Sequence, residues 1–219
     1  MSEYRLHCFA QSGNAYKVAL ALQLAEADWE PVFVDFFGGD HRGEAFRKMN
    51  VMAEVPVLEH RGEALSQSGA ILDYLGEVLQ RFRPDPSMGR EVLRWTLWDN
   101  HKLTASFATW RFMINFVPEA KRSADVIGFL EGRARGALKV LDGHLADREW
   151  IAGPSADEGG PTTADLSCIG YLFYADQVPI DWATEYPAVT AWRERIAALP
   201  GWKHPHDLMP GHPLPAASA

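Results

Sequence analysis

The sequence predicts an α/β domain over residues 1–80, a linker over 81–88 and an all-α domain over 89–219. Three observations predict it. The first stretch, to about residue 36, patterns as strand, helix, strand, which is a βαβ unit with a parallel pair. A hairpin pattern and a further amphipathic helix follow up to Leu79. Beyond Leu79 nothing alternates as a strand does, and Pro84 and Pro86 punctuate a charged segment, Arg81 to Gly89, that marks the boundary.

Tyr4 to Phe9 reads as a short strand with Tyr4, Leu6 and Cys8 on one face. From Ala15 to Ala25, Val18, Leu22 and Ala25 recur at helical spacing, with Ala21 and Leu24 widening the stripe. Val32, Phe33, Val34 and Phe36 follow almost without a polar break, as in a strand covered on both faces. After the Gly- and charge-rich stretch Gly38 to Glu44 comes a helical turn carrying Phe46 and Met49. Val55 to Leu58 reads as a strand, Arg61-Gly62 as a tight turn into Ala64 and Leu65, and Ser68 as the N-cap of a helix to Leu79. The order β-α-β-α-β-β-α is a thioredoxin-like layout. In the second domain one long helix is expected from Gly89 to Val117, stopped by Pro118, and a second from Ser123 to Leu145. A third starts at Thr163 and a fourth covers Ala188 to Leu199. The proline-rich last twenty residues read as an irregular tail.

Composition narrows the function. With 21 basic and 29 acidic residues the net charge is −8 and no basic block stands out, which argues against nucleic acid as a partner. Two cysteines, Cys8 and Cys168, make neither a disulfide framework nor a zinc pattern. No run approaches the roughly 18 apolar residues of a membrane span, and the amino end has no signal-peptide core. A cytoplasmic protein without membrane attachment is expected. Ser12-Gly13-Asn14 would cap and turn a helix, and Thr162 with Asp165 fits a capping box. His204 and His206 do not suffice as a metal site, so no metal is expected.

Four segments in order and spacing carry a resemblance along almost the whole chain. They are Ser12-Gly13-Asn14 with Lys17-Val18; Phe46 and Asn50 with Val55-Pro56-Val57-Leu58; Gln67-Ser68-Gly69-Ala70-Ile71; and Thr162-Thr163-Ala164-Asp165. The chain resembles the cytosolic glutathione transferases, in their bacterial branch with a Ser-x-Asn motif.

The resemblance implies a site. Glutathione's thiol titrates near pH ~8.5 when free, and lowering that by one unit takes about 1.4 kcal/mol. A hydroxyl at a helix N-terminus supplies a hydrogen bond and the positive end of the dipole. Ser12 stands in that position, and Asn14 is a second candidate beside the sulfur; helix capping is the alternative for each. Tyr4 is not where the family's catalytic tyrosine stands, since Phe9 and Ala10 occupy the end of the first strand. Cys8 lies within that strand and reads as a buried cysteine. Val55-Pro56 matches the family's cis proline, which lets glutathione's cysteine pair with the Val55 backbone as an added strand. Gln67 and Ser68 suit the γ-glutamyl carboxylate. His41 or Arg42 would take the glycine carboxylate, a charged solvated loop being the alternative. Glu54 departs from the family, which often has Gln, Lys or Arg there, and an acid beside two carboxylates weakens or alters thiol-ligand binding.

In the helical domain Trp98, His101 and Trp110 are the residues implied to meet a small hydrophobic electrophile, although aromatics at helical spacing also serve as core. The resemblance implies a homodimer, with glutathione as co-substrate and no bound cofactor. The 89–117 helix carries Trp95, Trp98, Phe107 and Trp110 on two faces, as a dimer-forming helix would. A glutathione-dependent disulfide or peroxide reductase and a non-catalytic glutathione-binding module are the other expectations for the same layout.

Overall fold

In the first thirty-three residues the chain builds strand β1 (Tyr4–Cys8), helix α1 (Gly13–Leu24) and strand β2 (Trp29–Phe33). These belong to a computed structural model in which residues 2–214 are described. After a 3₁₀ turn at Asp40–Arg42 come α2 (Glu44–Met49), β3 (Val57–His60), β4 (Glu63–Ser66) and α3 (Ser68–Leu79). The strands lie in the order β2-β1-β3-β4, with β1 parallel to β2 and antiparallel to β3, and the β3–β4 hairpin at the other edge. This is the expected thioredoxin-like α/β domain.

Alternation on β1 sorts its side chains between two layers. Tyr4, Leu6 and Cys8 are buried together with Val18 and Leu22 of α1 and Ile71, Leu72 and Leu75 of α3. Leu6 stands opposite Leu58 in the antiparallel ladder. On the other face His7 meets the edge of Phe46 from α2, which packs with Val34 and Val57. Polar pairing continues along that face, where Arg5 reaches Glu30 and Glu59. The expectation that β2 is covered on both faces is corrected. It is an edge strand, it ends at Phe33, and that ring is 49% exposed.

A second correction concerns the end of the chain. The described residues up to Arg81, together with those from Leu199 onward, form one compact unit; Phe82–Ala198 form another. The expected irregular tail holds a short helix, α10 (Pro205–Leu208), while Pro215 lies outside the described residues. The Tyr16 hydroxyl donates to the Lys203 carbonyl, 2.9 Å away, so the returning chain covers a side of α1 that periodicity left to solvent. α1 is therefore buried almost all round.

The second unit is helical: α4 (Gly89–Trp98), α5 (Thr104–Asn115), α6 (Ala124–Leu145), α7 (Thr163–Ile169), α8 (Trp182–Glu185) and α9 (Pro187–Ala197). The expected single helix over 89–117 is continuous from Gly89 to Asn115, but a π turn at Asp99–Leu103 joins α4 to α5. The Asp99 carboxylate inside it accepts from Thr104 Oγ1 and Ser167 Oγ, each 2.7 Å away, tying the turn to α7. Only the second half of α6 is core, through Ala134, Leu138, Leu141 and Leu145. The linker residues are bound here as well. Phe82 is buried, its carbonyl accepts from Thr163 N, and Pro84 bridges to Ser155. At α7 the capping box forms, with Thr162 N donating to Asp165 Oδ2 at 2.9 Å.

Candidate functional site

The candidate residues of the first unit come from two helix N-termini, the loop before β3 and the 3₁₀ turn at Asp40–Arg42. α1 begins at Ser12, an extended N-cap whose Oγ accepts from Ala15 N at 3.1 Å. A hydroxyl that accepts still has its own proton to give. Ser12 is buried and Asn14 half-buried. At such an N-terminus the first N–H groups lack intrahelical acceptors and the dipole is positive, so negative charge is favoured.

α3 opens differently from the expectation. Ser68 is not its N-cap; Gln67 is, with φ 69 and ψ 110 and no side-chain capping bond. A left-handed glutamine is strained, and strain of that kind gathers at ligand sites. Its side chain is held away from the helix: Nε2 donates to Glu54 Oε2 at 3.0 Å and lies 3.0 Å from Met52 Sδ. Ser68 follows in the first turn, buried, with Oγ 3.5 Å from Asn14 Oδ1. The two helix N-termini therefore meet through side chains.

The loop before β3 carries the cis Val55–Pro56 bond. Val55 precedes the ladder, which starts at Val57. Asn50 holds this loop, a role that its place in the sequence did not announce. Its Nδ2 donates to the Glu54 carbonyl at 2.8 Å and its Oδ1 accepts from Met52 N at 3.1 Å. Both contacts are local, so an Asn five residues ahead of an X-Pro bond was the available signal. Ala53, at φ 54, makes the bend.

His41 lies in the 3₁₀ turn, 4% exposed and stacked on Phe36 at 4.2 Å. Burial pushes its imidazole below the usual value, and Arg42 and Arg47 push the same way against Asp40. Arg42 Nε donates to His41 Nε2 at 3.2 Å, which leaves the proton of the neutral ring on Nδ1. That Nδ1 is buried without a protein partner. His41 is thus a neutral ring, and of the two candidates for the glycine carboxylate only Arg42 is exposed. Both cysteines are buried, and burial pushes the Cys8 thiol up to about 12. Tyr4 is stacked on His60 in the core, with its phenol pushed up by burial.

In the helical unit the three candidate residues separate. Trp98 is half-buried and His101 exposed, one turn apart across the π turn. Trp110 is 1% exposed, edge-on to Phe107, and belongs to the core. A residue so enclosed has no surface for an electrophile. Trp95 and Phe107 are core too, so the second apolar face of α4 consists instead of Leu93 and Leu97, 56% and 61% exposed. Among the described residues no group of three His, Cys, Asp or Glu is placed to hold a metal ion, and no helix is long and apolar enough to cross a membrane.

Residues 3–77 match the glutathione S-transferase N-terminal domain, and residues 119–195 match its C-terminal domain. The chain is 30% identical to rat glutathione S-transferase theta-2 across 77% of its own length and 70% of that protein. The chain belongs to the glutathione S-transferase family. A crystal structure described as a possible glutathione S-transferase from Rhodopseudomonas palustris is 32% identical, with a TM-score of 0.83 over 94% of this chain and 90% of that one. The disulfide-bond oxidoreductase YfcG of Escherichia coli is 28% identical over 88% of this chain and 89% of its own. Membership makes glutathione, as substrate or as bound ligand, the molecule against which the polar groups of the first unit are to be read.

Proposed function

We propose that the protein is a glutathione transferase of the Ser-type branch, in which the Ser12 hydroxyl and the α1 N-terminus hold the glutathione thiol as thiolate. The observation that carries this reading is the meeting of Asn14 with Ser68, which gathers both helix N-termini at one place. One tripeptide carrying two carboxylates and an ionising thiol suits such a place. Ser12 donates to the sulfur, with the Asn14 amide beside it. The cysteine backbone pairs with Val55, and Pro56 sets the cis bend. Ser68, Gln67 and the α3 N–H groups take the γ-glutamyl carboxylate. Of the two candidates for the glycine carboxylate, Arg42 has the exposed surface to meet it, its Nε held by His41 Nε2.

In the reaction the thiol proton passes to solvent. The thiolate then attacks an electrophilic carbon, a C–S bond forms, and a leaving group such as chloride departs with its electron pair. Trp98 and His101 have the surface to meet a small hydrophobic electrophile. A cytoplasmic, thiol-reducing compartment would supply the glutathione. The exposed Leu93 and Leu97 support a homodimer, and light scattering at micromolar concentration showing a 24.4 kDa particle would exclude it.

The similarity to YfcG favours a second reading, glutathione-dependent disulfide reduction at the same residues. Retention on immobilised glutathione, followed by parallel assays with a chlorinated nitrobenzene and a small disulfide, separates the two. Turnover of the aryl chloride supports the transferase. Turnover of the disulfide alone supports the reductase, and retention without either leaves a binding module.

A further inference from the structure

The turn that carries Ser12 is gripped by the far end of the chain. Ser12 N donates to the Phe9 carbonyl at 3.0 Å, closing a turn over Phe9, Ala10, Gln11 and Ser12. The middle of this turn is bonded outside it. Ala10 N donates to the Pro210 carbonyl at 2.7 Å, and Gln11 Nε2 donates to His212 Nδ1 at 3.2 Å across 201 residues. Between those contacts Gly211, at φ +91, runs so close to β2 that an added Cβ would stand 2.6 Å from Phe33 Cε2. His212 is stacked on His206 at 3.6 Å, and His206 belongs to α10. The strap is therefore seated at three successive residues and anchored by a helix.

We propose that Pro210, Gly211 and His212 are positioning residues for Ser12, holding the Phe9–Ser12 turn so that the hydroxyl and the α1 N-terminus face the glutathione sulfur. The inference rests on the reading of Ser12 given above. Its physical content is geometric. A turn of four residues has few internal hydrogen bonds to fix it, and a misplacement near 1 Å at a reacting group can cost up to about a hundredfold in rate. The two bonds from the strap fix Ala10 and Gln11, the residues immediately before Ser12. They act on placement and leave the binding groups at Val55, Gln67 and Ser68 untouched.

Three full-length variants test it. His212→Ala removes the acceptor for Gln11; His212→Asn returns an acceptor at nearly the same place. Gly211→Ala drives the strap off Phe33 without touching the turn. The readouts are the thiol titration of bound glutathione, followed by thiolate absorbance, and kcat and KM at neutral pH. His212→Ala and Gly211→Ala are expected to raise the bound thiol's pKa by about half a unit or more and to lower kcat about threefold, with KM for glutathione within about twofold. His212→Asn restores most of both. If Ser12→Ala moves the titration but neither strap variant does, the strap only packs and the inference falls alone. If bound glutathione titrates like the free tripeptide in the unaltered protein, the Ser12 reading falls and takes the inference with it. Melting temperatures accompany each variant. Should Gly211→Ala fail to fold, the His212→Ala and His212→Asn pair decides.

Discussion

Asn14 Oδ1 and Ser68 Oγ stand 3.5 Å apart, although fifty-four residues separate them along the chain. The contact joins the first turn of α1 to the first turn of α3. Both helices contribute positive ends to one region, and neither end is compensated by an acidic residue in its own first turn. Potential from two such ends adds where an anion would sit.

Ser12 carries the first prediction. Ser12→Ala is expected to raise the bound thiol's pKa by about one to two units and to lower turnover at neutral pH about tenfold or more, with little change in glutathione binding. Because Ser12 also caps α1, stability should fall by about 0.5–2 kcal/mol. Ser12→Thr keeps the cap and part of the activity. Thiolate absorbance in the binary complex separates the two roles, since a lost cap alone does not move it.

The thiols give a second. The protein has two cysteines, both buried, with Cys8 pushed up to about 12. A disulfide reagent at pH 8 should find no fast-reacting thiol in the native protein and two after denaturation. Cys8→Ser should retain glutathione-dependent activity. Rapid labelling that abolished activity would point to a cysteine nucleophile instead of Ser12.

His41 sets a pH dependence. Its imidazole is held below the usual value, so between the two states the unfolded chain binds the extra proton. That contribution to stability is present above the unfolded pKa, about 6.5, and is lost as pH falls through the folded value. Stability of the unaltered protein should therefore drop more steeply from pH 7 to pH 5 than that of His41→Gln, by up to about one proton in slope. Urea titrations across that range measure it. Equal slopes would place the ring's protonation elsewhere.

Asp165 is more than a cap. Fully buried, its carboxylate receives Ile151 N, Thr162 N, Thr162 Oγ1 and Trp192 Nε1 within 3.1 Å. Burial pushes the carboxyl up, and those four donors pull it back. Asp165→Ala orphans several buried donors, so the loss should be on the order of 3 kcal/mol or more, above the usual cost of a lost cap. Activity per folded molecule should persist, as chemical denaturation and active-site titration together would establish.

Where periodicity and local turn chemistry rule, the sequence was readable. The βαβ unit, the hairpin, α3, the helix expected over Ser123 to Leu145, and the Thr162–Asp165 box all follow from spacing within a few residues. The misreadings share a cause in long-range contact. The run from Val32 to Phe36 looks enclosed, yet only the strand order reveals that β2 is an edge. The tail looked irregular because its hydrogen bonds go to Ala10, Gln11 and Tyr16. Ser68 was the natural cap by composition, but the chain spends that position on a left-handed Gln67. For the site, residue types were legible; the tautomer of His41 depends on how the side chain of the adjacent Arg42 is turned, and the enclosure of Trp110 on tertiary packing.

The π turn at Asp99–Leu103 gives the long helix a joint that tolerates a change of length. A π turn behaves as one extra residue inserted into an α-helix. Loss of a single residue among Asn100, His101 and Lys102 would close it to regular α geometry while α4 and α5 each kept their own phase. The same deletion between Thr104 and Thr109 would swing everything after it by about 100° around the axis, since each α residue turns that far. Trp110 and Arg111 would then leave the core. Descendants of this chain can thus gain or shed a residue on the surface bearing His101, and so reshape it, while the packing of the helices on either side is conserved.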